Sequence, residues 1–247
     1  MPIQAIIFDL GGTLIEYAGP HHTWPELETP GFTAAYGVLQ EGGITLPDFE
    51  AVRQAGFARL PWRWRQATLG EANLRLVDLL HETLTDCGVT AVSPDLLTSA
   101  ATRYQAAIQQ QATMIADAPE ILADLKRVGY RLGLLSNTMF TGAAHIADLN
   151  RFGLDGYFDT MLFSGDVGKW KPTAAPFLHV AEALGVDPET AVYIGDDPAS
   201  DVVGAQRAGM KTIHFRSSDR FPNPNGVTPH ARIERLTQLP AALAAIG

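Results

Sequence analysis

The 247-residue chain, 46% hydrophobic and 18% charged, has the length and composition of an ordinary globular protein of one large domain or two small ones. Its formal charge of −9, from 27 acidic and 18 basic residues, argues against a nucleic-acid partner, because that binding depends on Lys and Arg neutralising phosphates. The single cysteine, Cys87, excludes an intramolecular disulfide and a cysteine-based zinc site, and no apolar run approaches the ~18 residues that suggest a membrane span.

The N-terminus, Met1-Pro2-Ile3-Gln4, lacks the basic start and long apolar core of a signal peptide. A cytoplasmic protein without membrane contact is therefore expected, as a monomer or homodimer. Residues 5–8 form a short apolar run of the kind that makes a buried parallel strand. Asp9 stands where that strand should end, and Gly11 and Gly12 permit a tight turn or a close approach to a ligand. Residues 15–25 are rich in turn formers and read as a loop or flap.

From Pro30 to about Met114 the texture is helical, with no strand interposed. Phe49, Val52, Phe57 and Leu60 recur at helical spacing up to Pro61; Leu74, Val77, Leu80 and Leu84 form another stripe closed by Gly88. Ser93-Pro94-Asp95 opens a further helix as N-cap and proline. This block is expected to be an insertion of about four helices.

Beyond Pro119 strands and helices alternate. Helices are predicted over 119–128, 141–152, 172–184 and 199–208, each closed by a glycine, with a last short helix over 239–246. Strands are predicted over 131–136, 160–164, 191–195 and 211–215. Alternation at these lengths implies a parallel sheet covered on both faces, to which the N-terminal strand belongs. The expected fold is α/β: a doubly wound, mostly parallel Rossmann-like sheet built from residues 1–17 and 115–247, with residues 18–114 as an inserted all-helical cap.

Four polar sites then fall at strand ends of one sheet, where open α/β sheets bind ligands. They are Asp9; Ser136-Asn137-Thr138; Gly168-Lys169-Trp170-Lys171-Pro172; and Gly195-Asp196-Asp197-Pro198-Ala199-Ser200-Asp201. Singly each is weak, because Asp, Ser and Gly are ordinary turn and cap residues. In this order and spacing they resemble the haloacid dehalogenase-like superfamily, with a helical cap of the type inserted after the first motif.

That resemblance implies an Mg²⁺-dependent phosphomonoester hydrolase. Asp9 would be the nucleophile that forms an aspartyl-phosphate, and the Asp9 carboxylate, the Gly11 carbonyl and Asp196 would hold the metal. Asp201 would act from behind these ligands, with Asp197 a less certain neighbour. Ser136 would bind a phosphate oxygen, and Lys171, in the position before the proline, would stabilise the crowded anions. Asn137, Gly12 and Thr13 would contact substrate. The chemistry is coherent, since phosphoryl transfer needs a nucleophile, charge neutralisation and positioning, and Mg²⁺ favours one or two carboxylates.

One departure matters. Phosphatases of this superfamily usually carry a second Asp two residues after the nucleophile, as acid and base; here that residue is Gly11. Glycine still offers its carbonyl to a metal but no acid, and general acid–base catalysis is typically worth ~10²–10⁴-fold. Glu16, His21 or His22 could substitute, or the leaving group could need no proton, or turnover could be slow. Two other readings share the scaffold: a catalytically silent binding or regulatory protein, and a 2-haloacid dehalogenase, which needs no magnesium. The intact Gly195–Asp201 acidic motif speaks against the dehalogenase. Trp62-Arg63-Trp64-Arg65 and Trp170 read as helix-packing aromatics or as a grip on an anionic or planar substrate.

Overall fold

A computed structural model describes residues 2–19, 24–216, 221 and 226–247. Six parallel strands form its main sheet: β1 (Ala5–Phe8), β4 (Arg131–Ser136), β5 (Thr160–Phe163), β6 (Ala191–Gly195), β7 (Lys211–Phe215) and β8 (Ala231–Ile233), in the order β5-β4-β1-β6-β7-β8. β1 pairs with β4 on one side and β6 on the other, so the winding reverses at β1. The carboxyl ends of β1, β4 and β6 therefore border the crevice where a doubly wound sheet places its ligands.

Side-chain alternation sorts the strands' residues between two cores. Ile6, Phe8, Leu132, Leu134, Val192 and Ile194 face one side, covered by α5 (Ala118–Val128), α6 (Gly142–Arg151) and α10 (Leu239–Ile246). Ala5, Ile7, Leu135 and Tyr193 face the other, covered by α8 (Ala174–Leu184) and α9 (Val203–Arg207). Burial on both faces explains why these strands read as unbroken apolar runs.

Four helices lie between β1 and α5: α1 (Thr29–Glu41), α2 (Phe49–Leu69), α3 (Leu76–Asp86) and α4 (Pro94–Gln109). They share a core of Phe32, Leu39, Leu60, Leu80 and Tyr104, which also takes in Met139, Phe140 and Trp170 from the sheet's loops. Hydrogen bonds join the two parts, from Leu76 N to the Met139 carbonyl and from Asn73 Nδ2 to the Gly165 carbonyl.

The structure corrects several expected boundaries. α2 runs through Pro61 to Leu69; the proline removes one backbone hydrogen bond, while Leu60 and Ala67 stay fully buried and hold the helix on line. The stretch read as loop after Thr13 contains β2 (Ile15–Glu16), paired antiparallel with β3 (Thr113–Met114). This ribbon lies where the chain leaves the sheet and returns to it, and is too short to show a period. The stretch 199–208 splits into a π-helical turn over Pro198–Val202 followed by α9. A short α7 (Ser164–Val167) follows β5, and the edge strand β8 was not legible in the tail.

Candidate active site

Lys171 Nζ donates to Asp9 Oδ1 at 2.7 Å, to Asp201 Oδ1 at 2.7 Å and to Tyr193 Oη at 2.9 Å, using all three of its protons. Burial works against the ammonium, but Asp201 and Asp9 outweigh it and hold Lys171 well above its ordinary pKa. The second oxygen of Asp201 accepts the Asp197 N–H at 3.0 Å, so Asp201 is fully engaged. Asp9 keeps one oxygen outside the ion pair.

Ligand atoms of Asp9, Asp196 and Asp201 lie within 4.8 Å of one another, all on buried residues. Three carboxylates against one ammonium leave an excess of two negative charges (three minus one) in a nearly dry pocket. Asp196 shows the consequence. Its Oδ2 is buried without a partner, and burial, then Asp9 and Asp201, push its carboxyl well above the usual range. Burial raises Asp201 too, with Lys171 pulling back. A dry, like-charged, orphaned carboxylate is unfavourable unless a cation joins it, so the residues present fit a divalent metal. Hard carboxylate oxygens suit Mg²⁺.

Two glycines make this crowding possible. Gly12 has φ +78°, and a Cβ there would lie 2.1 Å from Asp196 Oδ2. At Gly195 a Cβ would lie 2.1 Å from Asp201 Oδ2. Neither position accepts a side chain without displacing a carboxylate. The turn after Asp9 is tightened by the Leu10 carbonyl, which accepts from the N–H groups of Thr13, Leu14 and Ile15.

The other predicted site residues fall into different settings. Ser136 is buried at the end of β4, and its hydroxyl has no protein partner among the described residues. Asn137 braces the lysine loop, accepting from Lys171 N at 2.9 Å and donating to the Lys171 carbonyl at 3.0 Å, which leaves one amide proton for a ligand. Thr13 is buried with an unpartnered hydroxyl. Asp197 caps the π-helical turn through Ala199 N, and Lys169 reaches His179 instead of the acidic cluster. His21 and His22 lie outside the described residues.

Sequence reasoning missed Tyr193, whose hydroxyl accepts from Lys171 and donates to the Leu135 carbonyl. A polar-tipped ring between Val192 and Ile194 was its only signal. It also missed a buried relay beside the site. Tyr17 donates to Asp148 Oδ2 at 3.1 Å, so its oxygen accepts from His145 Nδ1 at 3.1 Å. His145 Nε2 then accepts the Thr138 hydroxyl proton at 2.7 Å, while Thr138 Oγ1 accepts from Phe140 N. His145 is stacked between Phe140 and Phe163, and burial lowers its pKa to about 4, which keeps the ring neutral. Burial, then Asp148, raises the Tyr17 phenol far above its ordinary value.

The tryptophans of α2 divide by helix face. Trp62 is exposed under Arg59, whereas Trp64 turns inward against Trp170, with ring centroids 5.1 Å apart. Trp170 Nε1 donates to Asn73 Oδ1, and Arg63 Nη2 donates to the Asn73 carbonyl.

A family model described as haloacid dehalogenase-like hydrolase matches residues 3–209. The chain is 27% identical to the ribulose-1,5-bisphosphate 5-phosphatase of Halopiger xanaduensis, over 87% of this chain and 85% of that one. It is 33% identical to the glyceraldehyde 3-phosphate phosphatase of Methanopyrus kandleri, a match that spans only 48% of this chain and 51% of that relative. Among solved structures, a 2-haloacid dehalogenase from Pseudomonas syringae pv. Tomato DC3000 superposes with a TM-score of 0.72 at 25% identity, over 99% of this chain and 100% of that one.

Proposed function

This chain belongs to the haloacid dehalogenase-like hydrolases, and from that premise we propose that it is a magnesium-dependent phosphatase that cleaves the phosphate ester of a small metabolite through an aspartyl-phosphate on Asp9. The observation that carries this reading is the buried charge imbalance at the strand ends. One ammonium pairs with two of the three carboxylates, and Asp196 Oδ2 is left without a partner. A haloacid is a monoanion with little use for a second buried cation, whereas a phosphate ester brings two negative charges that need one.

In this mechanism Lys171 fixes Asp9 through Oδ1 and leaves the other carboxylate oxygen to attack phosphorus. The bond from phosphorus to the ester oxygen breaks as the bond to Asp9 forms. Water then attacks phosphorus, the bond to Asp9 breaks, and inorganic phosphate leaves. The Ser136 hydroxyl and the remaining Asn137 amide proton hold phosphate oxygens during both steps. Asp9, the Gly11 carbonyl and Asp196 would hold the magnesium, and Asp201 orients the lysine. When bound, the ion supplies Lewis-acid neutralisation of the charge on the transferring group. The curated relatives cited above act on sugar and triose phosphates, which supports a small phosphorylated substrate.

The test is phosphate release, with and without magnesium, from aryl and alkyl phosphomonoesters. Magnesium-dependent release that disappears in Asp9→Asn is expected. Chloride release from 2-chloropropionate without phosphate release would establish the dehalogenase reading, which the Pseudomonas syringae likeness keeps in view. Tight binding of phosphate esters without any turnover would establish the silent binder.

A further inference from the structure

We propose that the substrate's leaving group is a weakly basic aryl alcohol, of the phenol kind, which departs from phosphorus without being handed a proton and lies against a ladder of tryptophans at the cap. This names the substrate class for the phosphatase reading above and depends on it.

The first ground is the fate of every proton donor around Asp9. The three protons of Lys171 are held by Asp9, Asp201 and Tyr193. The Tyr193 proton goes to the Leu135 carbonyl. Both oxygens of Asp201 are engaged, and Asp196 belongs to the metal set. Position 11 offers only backbone, and the side chain nearest to the space above it is Tyr17. A Cβ on Gly11 would lie 3.9 Å from Tyr17 Cδ2, so the phenol presents its ring edge there. Its hydroxyl is turned away and fixed at both ends by His145 Nδ1 and Asp148 Oδ2. Ser136 and Asn137 direct their protons to phosphate oxygens, Thr13 offers only a buried hydroxyl, and the Glu16 carboxylate accepts the Ala18 N–H; among these described residues no carboxylic acid or imidazole is placed to protonate a leaving oxygen. An alkyl alkoxide leaves badly under those conditions, whereas a phenolate does not need the help.

The second ground is independent. Trp170, next to Lys171 in sequence, meets Trp64 of α2 edge to face at 5.1 Å, and Trp64 meets Trp24 at 5.8 Å. Trp170 is buried at the junction of sheet and helices, while Trp24 is 38% exposed at the other end of the ladder. The three indoles thus run from the lysine loop outward along that junction, so an entering ring would meet the ladder at its exposed Trp24 end. Indole faces and edges attract planar rings, with about 0.5–1.5 kcal/mol per pair beyond area burial.

The reaction balances without a co-reactant. The Asp9 oxygen bonds to phosphorus; the bond from phosphorus to the aryl oxygen breaks, and that oxygen leaves with the electron pair as a phenolate that takes a proton from solvent. Water then displaces Asp9 and phosphate is released.

The experiment measures kcat/KM with magnesium for a series of substituted phenyl phosphates and for glycerol 3-phosphate. A steep fall with rising leaving-group pKa is expected, reaching ~10²–10⁴-fold between 4-nitrophenyl phosphate and the alkyl ester. Gly11→Asp, whose Cβ meets only an ordinary contact, should raise the alkyl rate more than the 4-nitrophenyl rate and flatten the series. Trp24→Ala and Trp64→Ala should raise KM for phenyl phosphates while leaving KM for glycerol 3-phosphate unchanged. Turnover of glycerol 3-phosphate within ~10-fold of the 4-nitrophenyl ester would overturn the proposal, because a donor would then be present; His21 and His22 would be replaced next to find it. Tryptophan variants that affect both ester classes equally would overturn the assignment of the ladder. Release of phosphate from no ester at all would instead remove the phosphatase reading itself.

Discussion

Two buried polar clusters lie side by side in this molecule and are built on opposite principles. Around Lys171 three carboxylates gather about one ammonium that bonds two of them, and Asp196 Oδ2 has no partner. Around His145 a hydroxyl, a neutral imidazole, a phenol and a carboxylate form a directed chain in which each proton has an acceptor. The first is buried throughout, and the second is buried except at Tyr17, which is partly exposed. The satisfied chain joins the loop after β4 to the ribbon-side Tyr17 and stabilises the fold. The unsatisfied cluster holds more carboxylate than its one ammonium balances. Unbalanced charge, more than the mere presence of polar residues in the interior, marks the place of chemistry.

The sharpest break of this contrast is Asp9→Asn. It should lower phosphate release by at least ~10⁴-fold, as loss of a nucleophile does, with an unchanged circular dichroism spectrum; activity near the parent level would remove Asp9 from its role. Next in size is Lys171→Met. Taking the one ammonium from Asp9 and Asp201 should cost about 3–5 kcal/mol in urea unfolding at pH 7.5. A cost under about 1 kcal/mol would mean the carboxylates were not relying on it.

Magnesium sharpens the comparison from the other side. At a hundred times its Kd it should stabilise the protein by about 2.7 kcal/mol, and Asp196→Asn should abolish that gain. An equal gain in the variant would place the ion elsewhere.

The His145 chain predicts a pH effect of comparable size. Burial lowers its folded-state pKa from 6.5 to about 4, so between those values the unfolded chain binds more protons than the folded one. Stability is fully present above pH 6.5 and declines as pH falls towards 4, by up to about 3 kcal/mol. His145→Gln should show a shallower loss over that window by thermal unfolding, and an identical slope would exclude the ring as the cause. The smallest effect belongs to Tyr17→Phe, about 1–2 kcal/mol for a part-buried hydroxyl that bonds both His145 and Asp148, with kcat on 4-nitrophenyl phosphate unaltered.

Much of the fold was legible because its signals are local. The buried strands 5–8, 131–136, 160–163, 191–195 and 211–215 announce themselves as apolar runs, and glycines at 129, 153, 185 and 209 close the helices between them. Asp9, the Ser136 stretch and the 195–201 motif could be placed at strand ends for the same reason, whereas the lysine loop, 168–172, follows α7 and not a strand. Pro61 misled, because a local rule for ending helices was overridden by burial of Leu60 and Ala67. Tyr193, Tyr17 and His145 were invisible as site residues. Each is an ordinary core aromatic or histidine until its hydrogen-bond partner, distant in sequence, is known.

The sequence by itself determined the alternation of strands and helices, the inserted helical block, and the identity of the acids, the lysine and the missing acid at Gly11. Those follow from side-chain period and residue chemistry, which each segment carries alone. The tertiary structure decided which oxygens are spent and which remain: that Lys171 uses all its protons, that Asp196 keeps an orphaned oxygen, and that Tyr17 turns its ring and not its hydroxyl towards Gly11. Charge balance and proton commitment belong to groups brought together from 162 residues apart, as Lys171 and Asp9 are. No single segment contains them.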